Sequence, residues 1–269
     1  MFVRYRICRP SVYLYLRPSC ESPVSDQLLF GTQVYPIAEE SENGFVRVET
    51  SYGYCGYLKT AAIGVFERRE TERMYTVCTP FADVLPRARY KERPIVTLPK
   101  GSLLAVKRTE SDGRFVGVRL FRTEGYVRRD AIRPTGFVGS RKDLRKSVCD
   151  DALSYLGTPY RYGGKTPSGI DCSGLCFMAY ALNGLPLWRD AVPDRRYVCE
   201  IGMESLLPGD LLYFPGHTAL FIGGGEYVHA DASEGFVTVN SLVRGSILYR
   251  ADLAGRLVCC ARSIELTNG

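Results

Sequence analysis

The chain has 269 residues, with 35 lysines and arginines against 29 aspartates and glutamates, a formal net charge of +6. Hydrophobic residues make up 45% and charged residues 24%, which excludes a disordered or fibrous chain and leaves room for one large domain or two to three small ones. The basic clusters at 68–69, 141–146 and 195–196 all have acidic neighbours. We therefore expect a solvated surface and no nucleic-acid partner.

The beginning of the chain and its cysteines bear on the compartment. Arginines at positions 4, 6 and 9 stand where a signal peptide has its apolar core, and no stretch approaches the ~20 apolar residues of a membrane span. The ten cysteines include no CxxC pair, so we expect mostly buried, reduced thiols. These features favour a cytoplasmic protein without a membrane span, or a periplasmic or extracellular one if a leader has been removed. They leave the oligomeric state open.

Residues 1–134 contain short predicted strands separated by turn residues, and the pattern repeats at an offset of about 70. The matching positions are Gly31 and Gly101, Phe45 and Phe115, Val46 and Val116, Val48 and Val118, Gly56-Tyr57 and Gly125-Tyr126, and Ala62-Ile63 and Ala131-Ile132. Two copies of this size are typical of two small β-barrels. We predict domains at 1–66 and 67–135.

The third segment, 136–269, changes to helices followed by strands. Leu144, Val148, Ala152 and Leu156 recur at helical spacing, with Gly157 predicted to end this helix. A second helix is predicted at about 172–182, and strands at 211–214, 218–222, 227–230, 236–239 and 257–264. This order predicts an α+β domain with an antiparallel sheet.

Cys172 is the candidate nucleophile. It begins the second predicted helix, and a helix N-terminus favours the thiolate and lowers the pKa of a thiol. Cys176 lies one turn further into the helix and lacks this activation. Taken alone, Cys172 is better interpreted as a buried structural thiol.

His217 and His229 are the two histidines of the chain. Their separation of 12 suits neighbouring antiparallel strands that bring both rings to one rim of a sheet. A nucleophile needs a base, and the base needs an orienting partner. Cys172, His217 and His229 are predicted to fill these roles in that order.

Other interpretations use the same residues. Cys172, Cys176, His217 and His229 provide a weaker case for a zinc site, because no carboxylate or further thiol pattern supports it. We predict no metal and no cofactor. Asp171 is better placed as a helix cap or substrate contact than as the third catalytic residue. Asp210 is predicted to serve a turn, and Gly223 to Gly225 lie between strands, unlike a dinucleotide-binding motif.

Four motifs of the third segment resemble the NlpC family of papain-like cell-wall peptidases across about 142–265. They are GTPYRYGG at 157–164, DCSGL at 171–175, PGDL at 208–211 followed by His217, and YVHA at 227–230. The repeat in front resembles two bacterial SH3-like domains. The resemblance implies two small all-β barrels followed by a papain-like α+β catalytic domain at 136–269.

The resemblance also implies an activity and its residues. Members with this architecture cleave between γ-D-glutamate and a diamino acid, L-Lys or meso-diaminopimelate, in murein stem peptides, often with a free N-terminal L-Ala. It implies Cys172 as nucleophile, His217 as base, His229 as its orienting partner and Tyr160 as an active-site tyrosine. Asp171 and Ser173 are implied substrate contacts.

The first domain is a further source of predicted contacts with the substrate amine. Glu21 and a tyrosine such as Tyr52 or Tyr54 are the candidates. A domain that restricts access to the cleft would select short, released peptides, which suits peptide recycling. Two alternatives remain: a murein-binding protein with a degenerate hydrolase domain, and a related papain-like amidase or acyltransferase.

Overall fold

The computed structural model describes residues 4–39, 43–67, 69–107, 113–137 and 139–267. Arg68 of the basic pair at 68–69 lies outside these residues. The chain divides into two compact units, Met1–Thr135 and Gly136–Gly269. In the described part of the chain, no helix is both long and apolar enough to cross a membrane.

The first half of unit 1 is one antiparallel sheet in the order β3-β2-β6-β5-β4-β1-β7. Its strands are β1 Tyr5–Ile7, β2 Ser11–Tyr15, β3 Val24–Leu29, β4 Gln33–Pro36, β5 Phe45–Thr50, β6 Cys55–Lys59 and β7 Ile63–Val65, with a 3-10 turn at Thr60–Ala62. Alternation sets the core: on β5, Val46 and Val48 are buried while Arg47 between them is exposed. Leu14, Leu28 and Leu58 complete the buried cluster.

The second half has seven strands in the same order as the first, so that β8 corresponds to β1 and β14 to β7. Its strands are β8 Arg73–Val77, β9 Phe81–Val84, β10 Val96–Pro99, β11 Leu103–Val106, β12 Phe115–Arg119, β13 Glu124–Arg128 and β14 Ile132–Pro134, with a 3-10 turn at Arg129–Ala131. The order is β10-β9 and β13-β12-β11-β8-β14, and a bridge from Leu85 to Tyr126 joins the two pieces. Gly31 and Gly101 occupy equivalent turns of the two halves. Their φ angles of 82° and 90° are in a region that favours glycine.

The two halves of unit 1 contact each other through an aromatic cluster. The Phe121 ring lies edge-on to Phe30 at 5.4 Å and to Phe66 at 5.5 Å between centroids. The Arg119 guanidinium lies over the Phe66 ring and donates to both carboxylate oxygens of Glu72 at 2.6 Å. The pair with Glu72 is largely buried and lies within the second half, and it holds the Arg119 guanidinium over Phe66 of the first half.

Unit 2 places helices against a six-stranded antiparallel sheet in the order β17-β22-β18-β19-β20-β21. The elements are α1 Arg141–Leu153, β15 Lys165–Thr166, β16 Gly169–Ile170, α2 Cys172–Ala181, β17 Val198–Ile201, β18 Leu211–Phe214, β19 His217–Gly223, β20 Glu226–Asp231, β21 Phe236–Ser241, α3 Ala251–Ala254 and β22 Cys259–Ser263, with 3-10 turns at Met203–Ser205 and Ile264–Leu266. Nine of the ten residues of α2 are buried, so this helix lies in the core of the unit.

The first helix ends earlier than its sequence pattern predicts. α1 stops at Leu153, where the Ser154 hydroxyl donates to the carbonyl of Asp151 at 2.6 Å. Tyr155 and Leu156 then continue as tighter turns, and Leu156 is half exposed. The apolar spacing therefore extends about one turn beyond the helix. The Ser154 hydroxyl takes the Asp151 carbonyl, and the Tyr155 N–H donates to Ala152 instead, which ends the α-helical bonding.

Candidate active site

The start of α2 positions Cys172. Asp171 caps the helix, accepting from the backbone N–H of Gly174 at 2.6 Å through Oδ1, while its Oδ2 accepts from the N–H of Gly163 at 2.7 Å. The cap thus ties the helix to the preceding glycine turn. Cys172 follows as the first residue of the helix and is buried.

Gly174 lets the helix approach that turn closely. A Cβ at Gly174 would lie 2.3 Å from the carbonyl oxygen of Gly164, a backbone atom that cannot move aside. The glycine of the DCSG motif is therefore required by packing.

We expect Gly174→Ala to lower the free energy of unfolding by about 2–3 kcal/mol, because overpacking must displace the helix or the turn. Urea unfolding followed by circular dichroism measures this change. Gly117→Ala is the matched control, since a Cβ there meets open space, and should change stability by less than about 0.5 kcal/mol. Equal stability of the two variants would contradict the packing argument.

Arg189 neutralises the cap from inside the protein. Its guanidinium is 2% exposed and donates to both Asp171 oxygens at 3.0 Å and to the Ser173 hydroxyl at 2.8 Å. Asp171 was predicted as a helix cap or substrate contact. The cap is present, and both carboxylate oxygens are bonded to protein groups, with Arg189 offsetting the charge. Its contact with a substrate stays a prediction.

The pKa of the Cys172 thiol is raised, whereas the sequence predicted a lowered pKa. Burial raises its pKa, and the Asp171 carboxylate acts in the same direction. The backbone N–H groups of Thr218 and Ser173 and the Arg189 guanidinium favour the thiolate but do not outweigh burial. The resting group is therefore a thiol, and it needs a base at the moment of attack.

The candidate base lies on β19, next to Thr218. His217 begins β19, and its Nε2 lies 2.8 Å from Nδ1 of His229 on β20. Nε2 of His229 lies 2.7 Å from Oδ1 of Asn240 on β21. His229 and Asn240 are buried, and the three side chains form a hydrogen-bonded row across three adjacent strands.

Both rings are held in the neutral form. Burial and the neighbouring His229 lower the pKa of His217 to about 4, and burial lowers the pKa of His229. Both shifts favour a thiol and a neutral imidazole over an ion pair at neutral pH. A neutral imidazole retains one nitrogen that can accept a proton.

These shifts predict how stability depends on pH. His217 in the unfolded chain takes up a proton below pH 6.5, whereas in the folded protein it does so only near pH 4. The unfolded state binds more protons in this window, so the stability that is present above pH 6.5 is lost as the pH falls towards 4. Urea titrations at pH 7 and 4.5 should give a fall that is about 2 kcal/mol larger for the unsubstituted chain than for His217→Asn. Equal falls would contradict the lowered pKa.

Tyr160 lies near Cys172. The segment 157–160 runs along the start of β21, where the Tyr160 N–H donates to the Gly235 carbonyl at 2.7 Å. Burial, followed by the charge of Cys172, raises the pKa of Tyr160 to about 12. Its hydroxyl is therefore protonated at neutral pH and available as a donor.

The predicted contacts from the first domain lie in unit 1. Glu21 is exposed in the turn between β2 and β3. The Tyr54 side chain packs against the core of the first sheet, and the Tyr52 hydroxyl donates to the buried Asp26 carboxylate. Their role towards a substrate stays a prediction.

The remaining thiols and Asp210 have other environments. All ten cysteines lie in the described residues; four are buried and Cys20 and Cys55 are exposed, so the expectation of mostly buried thiols was wrong. Burial strongly raises the pKa of Cys176. Asp210 does serve a turn, accepting from the N–H of Leu207, but it also forms buried ion pairs with Arg145 and Arg262.

The zinc interpretation finds no geometric support in the described ranges. There, no three histidine, cysteine or acidic side chains converge as a metal site requires. The two ring nitrogens of His229 are both engaged, one by His217 and the other by Asn240.

Known proteins with similar sequences and structures cover the site and most of the chain. Residues 157–255 match the NlpC/P60 family. "Dipeptidyl-peptidase 6" of Lysinibacillus sphaericus is 40% identical over 252 residues, covering 90% of this chain and 92% of that protein. "Gamma-D-glutamyl-L-lysine dipeptidyl-peptidase" of Bacillus subtilis (strain 168) is 24% identical over 89% of this chain and 82% of its own length.

The fold is shared with a solved structure. The crystal structure of an NlpC/P60 family protein from Bacillus cereus ATCC 10987 superposes with a TM-score of 0.77 at 19% identity, covering 96% of this chain and 99% of that one. The resemblance of the four motifs is thereby confirmed at the level of the family. On the strength of its 40% identity along nearly the whole length of a relative, the chain belongs to the NlpC/P60 family of hydrolases.

Proposed function

We propose that this protein is a cysteine peptidase that hydrolyses the γ-D-glutamyl–diamino acid bond of murein stem peptides. The observation that carries the proposal is the row from His217 through His229 to Asn240, which begins beside the residue whose N–H faces the Cys172 thiol. The names of the two relatives supply the bond: one is a dipeptidyl-peptidase, and the other is a γ-D-glutamyl-L-lysine dipeptidyl-peptidase. We further propose that the halves of unit 1 are SH3-like domains, 1–66 and 67–135, in front of a papain-like α+β catalytic domain at 136–269.

Acylation begins with a proton transfer. His217 takes the proton of the Cys172 thiol as the sulfur attacks the γ-carbonyl carbon of D-glutamate, and a C–S bond forms. The neutral resting pair makes this a general-base step.

The developing oxyanion needs donors that are already in place. The backbone N–H of Cys172, at the start of α2, and the Tyr160 hydroxyl are the proposed donors. One donor of this kind contributes about 3 kcal/mol of transition-state stabilisation. The raised pKa of Tyr160 keeps the hydroxyl proton available for this bond.

The leaving amine departs with the proton that His217 received, and the C–N bond breaks. The dipeptide L-Ala-γ-D-Glu remains on Cys172 as a thioester. His217 then takes a proton from water, and the hydroxide attacks the thioester carbon. The C–S bond breaks, L-Ala-γ-D-Glu leaves as the free acid, and His217 returns its proton to the sulfur, which restores the thiol. His229 holds the imidazole in place throughout both steps.

Recognition of a free N-terminal L-Ala requires an acceptor for an ammonium group. Because Arg189 offsets the charge of Asp171, we assign Asp171 and Ser173 to shaping the cleft next to Cys172. Glu21 and Tyr54 remain the candidates for the amine. A peptidase with this requirement acts on released peptides, which fits peptide recycling or turnover.

The test is a digest with defined peptides. L-Ala-γ-D-Glu-L-Lys, its meso-diaminopimelate counterpart and the N-acetylated forms are incubated with the enzyme, and the products are identified by mass spectrometry. We expect L-Ala-γ-D-Glu and the free diamino acid from the unblocked peptides. Cleavage after L-Ala, or at an N-acetylmuramyl amide, would overturn the assigned bond, and equal cleavage of the N-acetylated peptides would overturn the amine requirement.

A further inference from the structure

Asn240 is the last side chain in the hydrogen-bonded row that runs from His217 through His229. No sequence motif predicted its role. It is on β21, buried, with Oδ1 2.7 Å from Nε2 of His229. β20 and β21 pair in antiparallel register with Tyr227 opposite Asn240 and His229 opposite Thr238. The sheet therefore fixes which side chain reaches the outer nitrogen of His229.

The direction of the hydrogen bond decides which proton each ring carries. An amide oxygen can only accept, so Nε2 of His229 carries the proton. Nδ1 of the neutral His229 is then an acceptor and receives a proton donated by Nε2 of His217. The remaining nitrogen of His217, Nδ1, then carries a lone pair and can accept a proton.

A reversed amide would produce the opposite result. If the NH₂ group of Asn240 faced His229, that ring would be protonated at Nδ1 and would donate to Nε2 of His217. Nδ1 of His217 would then hold a proton and could not accept another. The orientation of one amide thus decides between a working base and an inactive one.

We infer that Asn240 is a positioning residue that locks both histidines in the Nε2–H tautomer and so makes Nδ1 of His217 the base towards Cys172. The catalytic consequence rests on the proposed function, whereas the tautomers themselves do not. His229 transmits the preference and Asn240 sets it. Neutral imidazoles are a condition of this relay, and the lowered pKa values of both rings meet it at pH 7.

Several groups around the two rings contribute to their titration. Asp231 and Glu234 favour the charged form of His229, and Arg250 disfavours it. Arg250 itself is ion-paired with both acids, which reduces the field at the rings. The aromatic rings of Phe214 and Tyr227 pack against His217 and His229, and burial keeps Tyr227 uncharged at pH 7.

The number of histidines makes a direct measurement possible. The tag-free full chain, labelled with ¹⁵N-histidine, contains two imidazoles, and ring ¹⁵N shifts at pH 7 distinguish a protonated from an unprotonated nitrogen. We expect both rings as Nε2–H tautomers in the unsubstituted chain. An Nδ1–H tautomer at either ring would overturn the inference, whether or not the enzyme cleaves the proposed peptide.

Two substitutions extend the test. Asn240→Asp retains an acceptor of the same shape, so it should keep both tautomers and activity within a few-fold, with the acid limb of the pH–rate profile moved to higher pH by the added negative charge. Asn240→Leu removes the acceptor, so mixed tautomers and a 10- to 100-fold fall in kcat at nearly unchanged KM are expected. Unchanged tautomers and kcat in Asn240→Leu would overturn the inference.

A control separates the tautomer effect from general destabilisation. Val198→Ala opens a cavity on β17, at the opposite edge of the same sheet, and should lower stability without changing the tautomers or the acid limb. If Asn240→Leu does not fold, Asn240→Asp and the unsubstituted chain still decide the matter. Loss of the Nε2–H tautomers in Asn240→Asp would count against the inference.

Discussion

Replacing Cys172 by alanine is expected to abolish peptide cleavage, with kcat/KM lowered by at least about 10⁴-fold, because the covalent route is lost. The change is measured by the release of L-Ala-γ-D-Glu from the tripeptide. Stability should stay close to that of the unsubstituted chain, since the change removes one small buried thiol.

Cys176→Ala is the matched control for this substitution. It removes a second thiol from the same face of the same helix, one turn from Cys172, and burial keeps that thiol protonated. We expect activity within about 10-fold of the unsubstituted enzyme, the difference reflecting packing. Cleavage that survives in Cys172→Ala would contradict the assignment of the nucleophile.

Arg189→Met is expected to have the largest effect on stability. It leaves the Asp171 carboxylate buried without its cation, and breaking a buried pair in this way costs about 3–5 kcal/mol. Activity should also fall, because an uncompensated carboxylate beside Cys172 disfavours the thiolate. Urea unfolding and the rate of Cys172 alkylation measure the two effects.

A double substitution tests the cause. Asp171→Asn combined with Arg189→Met removes both charges and retains a residue that can cap α2. The double variant should be more stable than Arg189→Met alone. Simple addition of the two single losses would show that the ion pair is not responsible.

Measurement of Cys172 alkylation requires a chain that lacks other exposed thiols. The sequence predicted mostly buried thiols, but Cys20 and Cys55 are exposed. Rates are therefore best compared in the Cys20→Ser, Cys55→Ser chain.

The reactive residues could be predicted from the sequence because local signals place them. Asp171 before an apolar helix predicts a cap, and α2 does begin at Cys172. The spacing of 12 predicts that His217 and His229 meet across adjacent strands, and Nε2 of His217 lies 2.8 Å from Nδ1 of His229.

The supporting residues could not be predicted in this way. Arg189 lies in a loop, 18 residues from Asp171, and no periodicity connects the two positions. Asn240 depends on the register of β20 with β21; asparagine is unfavourable inside strands, and that was the one signal available for it. The direction of the Cys172 pKa shift depends on burial, which outweighs the helix terminus and becomes visible once the packing is known.

The most direct test of the account is a search for the acyl-enzyme. The γ-4-nitrophenyl ester of L-Ala-γ-D-Glu makes acylation fast, so that breakdown of the thioester limits turnover. In the Cys20→Ser, Cys55→Ser chain, we predict a stoichiometric burst of nitrophenol and, after acid quenching, one L-Ala-γ-D-Glu group on the peptide that contains Cys172. A chain without a burst, or an adduct on Cys176 or another residue, would contradict the central claim that Cys172 is the nucleophile.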